Sequence, residues 1–246
     1  MKITFFGSSH GYPEPNRKCS CSLIEIGENR YFIDMGTMAA EGLRNRGIPI
    51  ESVKAIFLTH MHGDHTNGVI SFLDICSWKF LNANPKVYFP CDPEKAREAI
   101  FGWIALTGSK MRPFEFFKIS EGAFYDDGII KITAFKTLHT TTSPSYAFLV
   151  EAEGKRVLFS GDLCTTEGPS ADFPVSVLDE PLDLAICEAA HFKATDYLPF
   201  FEGNENLKML CFNHYSDRFL ESVIEMTRLL PEIPVSRAND GMIIEI

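Results

Sequence analysis

The sequence predicts an α/β protein in which two β-sheets pack face to face between outer helices. Strand-like and helix-like segments alternate through both halves of the chain, and the second half repeats the scheme of the first. Several of the apolar strands end in histidine or aspartate. No linker, low-complexity tract or charge run divides the 246 residues, so we expect a single domain spanning residues 1–246.

The first half contains short alternating segments separated by turn-forming residues. Strands are predicted at residues 2–6, 20–26, 31–34, 55–58 and 86–89, with a hairpin turn at residues 27–29. Helices are predicted at residues 37–45, 69–81 and 93–106, the last with Pro93 in its first turn.

The second half is predicted to begin with short strands and turns over residues 114–132. Further strands follow at residues 131–138, 145–151, 156–159, 184–187, 208–211 and 241–246. One helix is predicted at residues 218–230. An aromatic-rich stretch in the middle of the chain is expected either to pack in the core, to line a pocket or to form a dimer surface; it comprises Phe101, Trp103, Phe114, Phe116, Phe117, Phe124 and Tyr125.

Charge and hydropathy exclude several functional classes. The net charge is −10, from 23 basic and 33 acidic residues, which argues against long nucleic acids as partners. No apolar run approaches the length that spans a bilayer, so no membrane partner is expected. The first residues become polar at Gly7, too early for a secretory apolar region, and we therefore expect a cytoplasmic protein.

The seven cysteines do not indicate a disulfide framework. Their number is odd, and most of them lie in apolar strand-like runs, which is typical of reduced, buried thiols. Cys19 and Cys21 form a CxC pair, but two thiols are an incomplete metal site, and alternation along a strand explains them equally well.

The clearest chemical signal is the segment AIFLTHMHGDH at residues 55–65. An apolar strand ends there in four potential metal ligands within six residues, His60, His62, Asp64 and His65. His60 and His62 can face the same way in an extended chain, and Gly63 permits the turn that brings the next two side chains around. Three imidazoles and one carboxylate suit a metal such as zinc.

Three other predicted strands also end in a ligand type. His139 follows the strand at residues 134–138, Asp162 follows FSG at residues 159–161, and His214 follows CFN at residues 211–213. Together with the first segment they make seven ligands, His60, His62, Asp64, His65, His139, Asp162 and His214. Seven exceed what one tetrahedral zinc accepts, but they fit two metals that share a carboxylate.

This pattern resembles the metallo-β-lactamase superfamily over nearly the whole chain. The resemblance implies a four-layer αββα sandwich, with Asp34 in FIDMG supporting the ligands from behind. It also implies that His60, His62 and His139 hold one metal and that Asp64, His65 and His214 hold the other, with Asp162 bridging. The cofactors would be two divalent ions, zinc first, with manganese or iron as alternatives.

Within the superfamily, the segments FSGDL at residues 159–163 and NHYSDRF at residues 213–219 resemble ribonuclease Z and its relatives. The tRNA-processing members carry a long basic arm between the motifs that correspond to His139 and Asp162. Here these two residues are only 23 positions apart, 162 minus 139, so no arm fits. A small or short phosphodiester is therefore the expected substrate, and the resemblance allows a homodimer.

The segment CEAAH at residues 187–191 departs from the HEAT motif of that family. Glu188 matches its glutamate, Cys187 stands where its histidine would be, and His191 could place an imidazole in an equivalent position.

The expected chemistry is hydrolysis by a metal-bridging hydroxide. Asp64 and Asp162 would orient it, Glu188 and His191 would assist proton delivery to the leaving group, and Asp34 and Thr59 would fix imidazole tautomers. Hydrolysis of a lactone or thioester at the same metals stays open, as does a regulatory role without turnover. The hydroxyl-rich segment at residues 140–145 is either a phosphate contact or a plain polar loop.

Overall fold

The computed structural model describes residues 1–246, which form two seven-stranded sheets and five α-helices. The strands are β1 (Lys2–Gly7), β2 (Cys21–Ile26), β3 (Asn29–Ile33), β4 (Val53–Phe57), β5 (Lys86–Phe89), β6 (Phe116–Lys118), β7 (Gly122–Asp126), β8 (Lys131–Thr137), β9 (Ser145–Ala152), β10 (Lys155–Phe159), β11 (Leu184–Ala189), β12 (Leu210–Tyr215), β13 (Val235–Arg237) and β14 (Ile243–Glu245). The α-helices are α1 (Ala39–Asn45), α2 (Gly63–Trp78), α3 (Pro93–Ala105), α4 (Leu198–Phe201) and α5 (Leu220–Leu229). None of them combines the length and the apolar composition that a membrane crossing requires.

The first sheet has the order β14-β1-β2-β3-β4-β5-β6. Its β2–β3 hairpin turns at Gly27, whose φ of 54° lies in the left-handed region that glycine adopts without strain. From β3 to β6 the strands are parallel, so their carboxyl ends meet at one edge of the sheet.

The second sheet has the order β13-β12-β11-β10-β9-β8-β7. Strands β10 to β13 are parallel, and β9 forms antiparallel pairs with both β8 and β10. The end of β8 and the ends of β10, β11 and β12 therefore lie at the same edge, because β8 runs in the direction of β10.

Three hydrophobic clusters separate the four layers of the molecule. The inner cluster joins the facing sides of the sheets, with Phe5 and Phe57 from the first sheet and Phe148 and Phe159 from the second. The other two clusters pack α1, α2 and α3 on the outside of the first sheet and α4 and α5 on the outside of the second. This is the predicted αββα sandwich, and the fold-class prediction is confirmed.

Several predicted boundaries were wrong. Helix α2 begins at Gly63 rather than at residue 69, because polar ligand-type side chains occupy its first turn and hide the apolar periodicity. Strand β12 continues to Tyr215, so His214 lies inside the strand rather than after it. Strand β13 was not predicted, since three residues are too few to show an alternating pattern.

The aromatic-rich stretch divides between core and surface. Phe114 is buried under α3, and Phe117, Phe124 and Tyr125 pack against the inner cluster, while Trp103 is 63% exposed. Core packing thus accounts for most of these rings.

A partly buried hydrogen bond joins the two sheets at the edge opposite the carboxyl strand ends. The hydroxyl of Tyr31 on β3 donates to Asp127 Oδ2 in the β7–β8 turn at 2.7 Å, and the Tyr125 hydroxyl donates to the same oxygen at 2.9 Å. Burial opposes ionisation of this carboxyl, but the hydrogen bonds from Tyr31 and from backbone N–H groups hold the pKa of Asp127 below its ordinary value.

Asp127→Asn is expected to lower the melting temperature at pH 7. A carboxyl with a depressed pKa stabilises the fold above its unfolded pKa of about 3.9 and loses that contribution as the pH falls through the folded value. The difference in melting temperature between wild type and variant should therefore shrink between pH 5 and pH 3. An unchanged difference at pH 3 would contradict the assignment.

Candidate metal centre

The carboxyl ends of strands from both sheets bring the predicted ligands together. His60 lies three residues after the end of β4, His62 immediately precedes α2, and Asp64 and His65 occupy the first turn of that helix. In the second sheet His139 follows β8 by two residues and Asp162 follows β10 by three.

His60, His62 and His139 form one group of ligand atoms. His60 Nε2 lies 3.0 Å from His62 Nδ1, and His139 Nε2 lies 3.1 Å from the same atom. The three atoms lie close together although they come from two segments, the β4–α2 connection and the loop after β8, and this group could hold a metal ion.

Asp64, His65 and His214 form the second group. His65 Nε2 lies 3.5 Å and His214 Nε2 lies 3.8 Å from Asp64 Oδ2. His214 adopts a φ of 53°, a left-handed conformation that is uncommon for a non-glycine residue and often occurs at functional sites.

Asp162 lies between the two groups. Its Oδ2 is 3.5 Å from His139 Nε2 and 3.7 Å from His60 Nε2 in the first group, and 3.2 Å from His214 Nε2 in the second. Its Oδ1 is 3.4 Å from His65 Nε2. One carboxylate therefore faces both groups, as a bridging ligand would.

The surroundings of Asp162 and His60 favour the protonation states that bind metals, whereas at His65 burial is outweighed by the carboxylates of Asp162 and Asp34, which raise the imidazole pKa well above its ordinary value. Burial opposes ionisation of Asp162, but the nearby imidazoles of His214, His65 and His60 hold its pKa well below the usual range. Burial, together with the charge of His65, lowers the pKa of His60 to about 2, so this imidazole is neutral. Carboxylates and neutral imidazoles are the ligand forms of these side chains.

Hydrogen bonds on the side of the rings away from the cluster orient the imidazoles. Asp34 Oδ2 accepts a hydrogen bond from His65 Nδ1 at 2.7 Å, and the same carboxylate accepts the Thr59 hydroxyl at 2.9 Å. The Thr59 oxygen lies 3.1 Å from His60 Nδ1, and His139 Nδ1 lies 3.2 Å from a backbone carbonyl oxygen. Each of these bonds leaves Nε2 of the ring free to face the cluster.

The side chains present fit a pair of divalent ions. Asp162 Oδ1 and His65 Nε2 are buried and face each other without a hydrogen-bond partner, which is costly unless another group satisfies them. Ligand atoms around a tetrahedral zinc are about 3.3 Å apart, close to the spacings within the cluster. The donor set of imidazole and carboxylate also suits zinc.

His191 reaches the cluster, and Glu188 does not face it. His191 Nε2 lies 3.9 Å from Asp162 Oδ2, and the imidazole packs beside His139 with ring centroids 4.8 Å apart. Glu188 Oε2 accepts from His191 Nδ1 at 2.7 Å, and Oε1 accepts the backbone N–H of Leu163 at 2.7 Å. Glu188 therefore orients His191 instead of meeting the reacting atoms itself. Burial lowers the pKa of His191, but the hydrogen bond and charge of Glu188 outweigh it and raise the pKa to about 9.

Sequence reasoning missed Asp172, which ties two ligand-bearing loops together. Its Oδ2 accepts the backbone N–H of Leu138 at 2.6 Å and that of Cys164 at 3.0 Å. Asp172 lies in a stretch without a recognisable motif, so no signal in the sequence pointed to it.

The N-terminal loop was also missed as part of the site, although its residues 8–18 lie beside the second ligand group. The two cysteines of the CxC pair lie in different surroundings. Cys21 is buried in the core, while Cys19 is partly exposed with its Sγ 3.9 Å from the His10 carbonyl oxygen. Neither thiol belongs to a group that could hold a metal.

The chain is similar in sequence to several known proteins. Residues 1–173 match the family model described as anti-Pycsar protein Apyc1. Among curated proteins, the chain is 32% identical over 149 residues to ribonuclease Z of Saccharolobus solfataricus, which is 61% of this chain and 49% of the relative. It is 30% identical over 144 residues to ribonuclease BN of Salmonella paratyphi B, which is 56% of this chain and 46% of the relative. The chain thus spans about half the length of the curated relatives it matches.

Solved structures support the fold. The short form of human tRNase Z superposes with a TM-score of 0.75 at 22% identity, covering 100% of this chain and 99% of that one. The metallo-β-lactamase-fold protein YhfI of Bacillus subtilis gives a TM-score of 0.75 at 18% identity, covering 100% and 99%. A diphosphatase of the PhnP family gives 0.71 at 20% identity, covering 100% and 97%. The chain has the metallo-β-lactamase fold, is similar in sequence to ribonuclease Z, and belongs to the anti-Pycsar protein Apyc1 family.

Proposed function

We propose that this chain is a metal-dependent hydrolase that cleaves a small or short phosphodiester. The observation that carries the proposal is the position of Asp162, whose carboxylate lies within 4 Å of imidazole nitrogens from both ligand groups. Two ions that share one carboxylate form a clamp suited to an in-line displacement at phosphorus. The curated relatives named ribonuclease Z and ribonuclease BN support this reaction class.

The proposed ligand sets follow the two groups. His60, His62 and His139 would hold one ion, Asp64, His65 and His214 would hold the other, and Asp162 would serve both; zinc fits this donor set best. Two bound ions would supply a hydroxide nucleophile near neutral pH and would neutralise charge on the phosphate oxygens. The carboxylates of Asp64 and Asp162 would accept a hydrogen bond from the attacking oxygen and orient it.

The preference for a small substrate rests on charge and on the segment between His139 and Asp162. That segment holds only the turn at residues 140–144, β9, a tight turn and β10, so it contains no extended arm. The net charge of −10 likewise disfavours a long polyanion.

A single assay panel on metal-quantified protein tests the proposal. Its substrates are a bis-aryl phosphodiester, a cyclic nucleotide, a long RNA, a lactone and a thioester. We expect turnover of the two small phosphodiesters and little turnover of the others. Strong lactone or thioester turnover without phosphodiester turnover would replace the proposal with carbonyl hydrolysis, and no turnover at full metal loading would leave a regulatory protein.

His191→Ala should separate the leaving-group role from a ligand role. Because Glu188 holds Nδ1, the ring directs Nε2 at the cluster, where it can deliver a proton to the departing oxygen. Turnover of a phosphodiester with an alkoxide leaving group should fall about 10²-fold or more, while that of a p-nitrophenyl ester, which needs no proton, should change little. Metal content should stay constant. Equal losses with both esters, accompanied by metal loss, would show that His191 is a ligand instead.

The domain organisation, the cellular compartment and the oligomeric state of the protein are also proposals. We take residues 1–246 as one domain because the inner hydrophobic cluster draws on strands from both ends of the chain. The seven free thiols fit a reducing cytoplasm. A homodimer is proposed from family resemblance, and sedimentation equilibrium would test it.

A further inference from the structure

The N-terminal loop borders the second ligand group. We call its residues 8–18 the rim loop. A Cβ added at Gly11 would lie 3.2 Å from Asp64 Oδ2, so the loop backbone passes beside this carboxylate. The ring of His10 lies edge-on to that of His214, with centroids 6.4 Å apart. Tyr12 is the next residue, and its backbone N–H donates to His10 Nδ1 at 3.4 Å, so its side chain starts from a backbone position close to the second ligand group.

The rim loop is fixed on both sides of Tyr12. Glu14 Oε1 lies 3.1 Å from His10 Nε2 and accepts the backbone N–H of Asp217 at 2.9 Å. Further along, the Arg17 guanidinium bonds to Asp217 at 2.7 Å and lies 3.9 Å above the ring of Tyr215. These contacts tie the loop to the segment just after His214, and a fixed loop binds a partner group without paying the full ordering entropy.

Tyr12 is the most prominent side chain of this loop. Its side chain is 82% exposed, although its backbone N–H is used locally by His10 Nδ1. Other exposed large apolar side chains, such as Trp78 and Trp103, lie on α2 and α3 and not on the rim loop. An exposed aromatic side chain on an anchored loop, next to the proposed phosphodiesterase centre, has the properties of a stacking platform.

We propose that Tyr12 is a specificity-determining residue that stacks on a planar aromatic group of the substrate. The inference rests on the proposed phosphodiesterase activity. His191, assigned to the leaving oxygen, packs closer to His139 than to His214, whereas Tyr12 follows Gly11 on the rim loop, which adjoins Asp64 and His214. The stacked group is therefore the one that stays on the phosphate after cleavage.

The test uses two phosphodiesters with the same p-nitrophenolate leaving group, phenyl p-nitrophenyl phosphate and methyl p-nitrophenyl phosphate. Their chemistry at phosphorus is similar, so a difference in kcat/KM reports the retained group. For the wild type we expect kcat/KM to favour the phenyl ester about 10-fold or more. Tyr12→Ala should reduce this preference to near unity, chiefly through KM of the phenyl ester, while Tyr12→Phe should keep it.

Trp103→Ala, which removes an exposed aromatic ring on α3, serves as the matched control and should leave both constants unchanged. Metal content and melting temperature are measured for every variant, so a loss of folding is recognised as such. A preference that survives in Tyr12→Ala, or an equal loss on both esters at full metal content, would overturn the inference. If the wild type cleaves neither ester yet turns over the lactone or thioester, the proposed function itself fails, and the role of Tyr12 falls with it.

Discussion

Asp162→Ala is expected to lose bound metal and to reduce phosphodiester turnover by about 10³-fold or more while the protein stays folded. The substitution removes the one carboxylate that faces both ligand groups and leaves the imidazoles of His65, His139 and His214 without their shared anionic partner. Both groups should therefore lose affinity together. Metal content by mass spectrometry and turnover on the same preparation provide the measurement.

Asp183→Ala is the matched control for this change. Asp183 is also a buried carboxylate, but it precedes β11, at the end of the strand away from Glu188, and pairs with Lys208 at 2.9 Å. Its removal should cost stability and leave the metal content intact. Full metal content and normal turnover in Asp162→Ala would show that the ligand assignment is wrong.

Gly36→Ala is expected to lower the free energy of unfolding by about 3 kcal/mol. An added Cβ would lie 1.7 Å from the carbonyl oxygen of Asp64 and 3.0 Å from Cys19 Cβ. Neither side can yield easily, because the Gly36 N–H is bonded to the Ser20 carbonyl oxygen at 2.7 Å and Asp64 belongs to the first turn of α2. Urea denaturation of the metal-free protein measures the loss.

The control for this substitution is Gly102→Ala in the exposed interior of α3. Nothing lies within 4 Å of a Cβ added there, so the variant should gain up to about 1 kcal/mol from helix propensity. A loss below about 0.5 kcal/mol in Gly36→Ala would mean that the contact between this glycine and α2 relaxes without cost.

The fold class and the set of ligand residues could be predicted from the sequence because both produce local sequence patterns. Apolar strands that end in histidine or aspartate predicted the layout, and in the structure His60, His139 and Asp162 follow strands that end at one edge of the sandwich. The predicted start of α2 was too late in the sequence, because the polar side chains of Asp64 and His65 interrupt the apolar period of the helix. The same polar residues made the site recognisable.

Other parts of the site depend on contacts that no local pattern reveals. Asp172 accepts hydrogen bonds from backbone N–H groups that are 34 and 8 residues away in the sequence. Glu14 accepts one from a backbone N–H that is 203 residues away. Any residue has a backbone N–H, so the partner leaves no mark in the sequence. The position of Glu188 behind His191 was likewise visible only from the direction of its two oxygens.

Each ligand group takes side chains from both sheets: His60 and His62 with His139 in one, and Asp64 and His65 with His214 in the other. An ion bound by either group would therefore join the two halves of the sandwich, and its binding free energy would add to the free energy that keeps them packed. At a free metal concentration 1,000 times the dissociation constant, this linkage amounts to about 4 kcal/mol. The thermal stability of the protein would then report the metal supply of its surroundings, and a chelator would act on it as a denaturant.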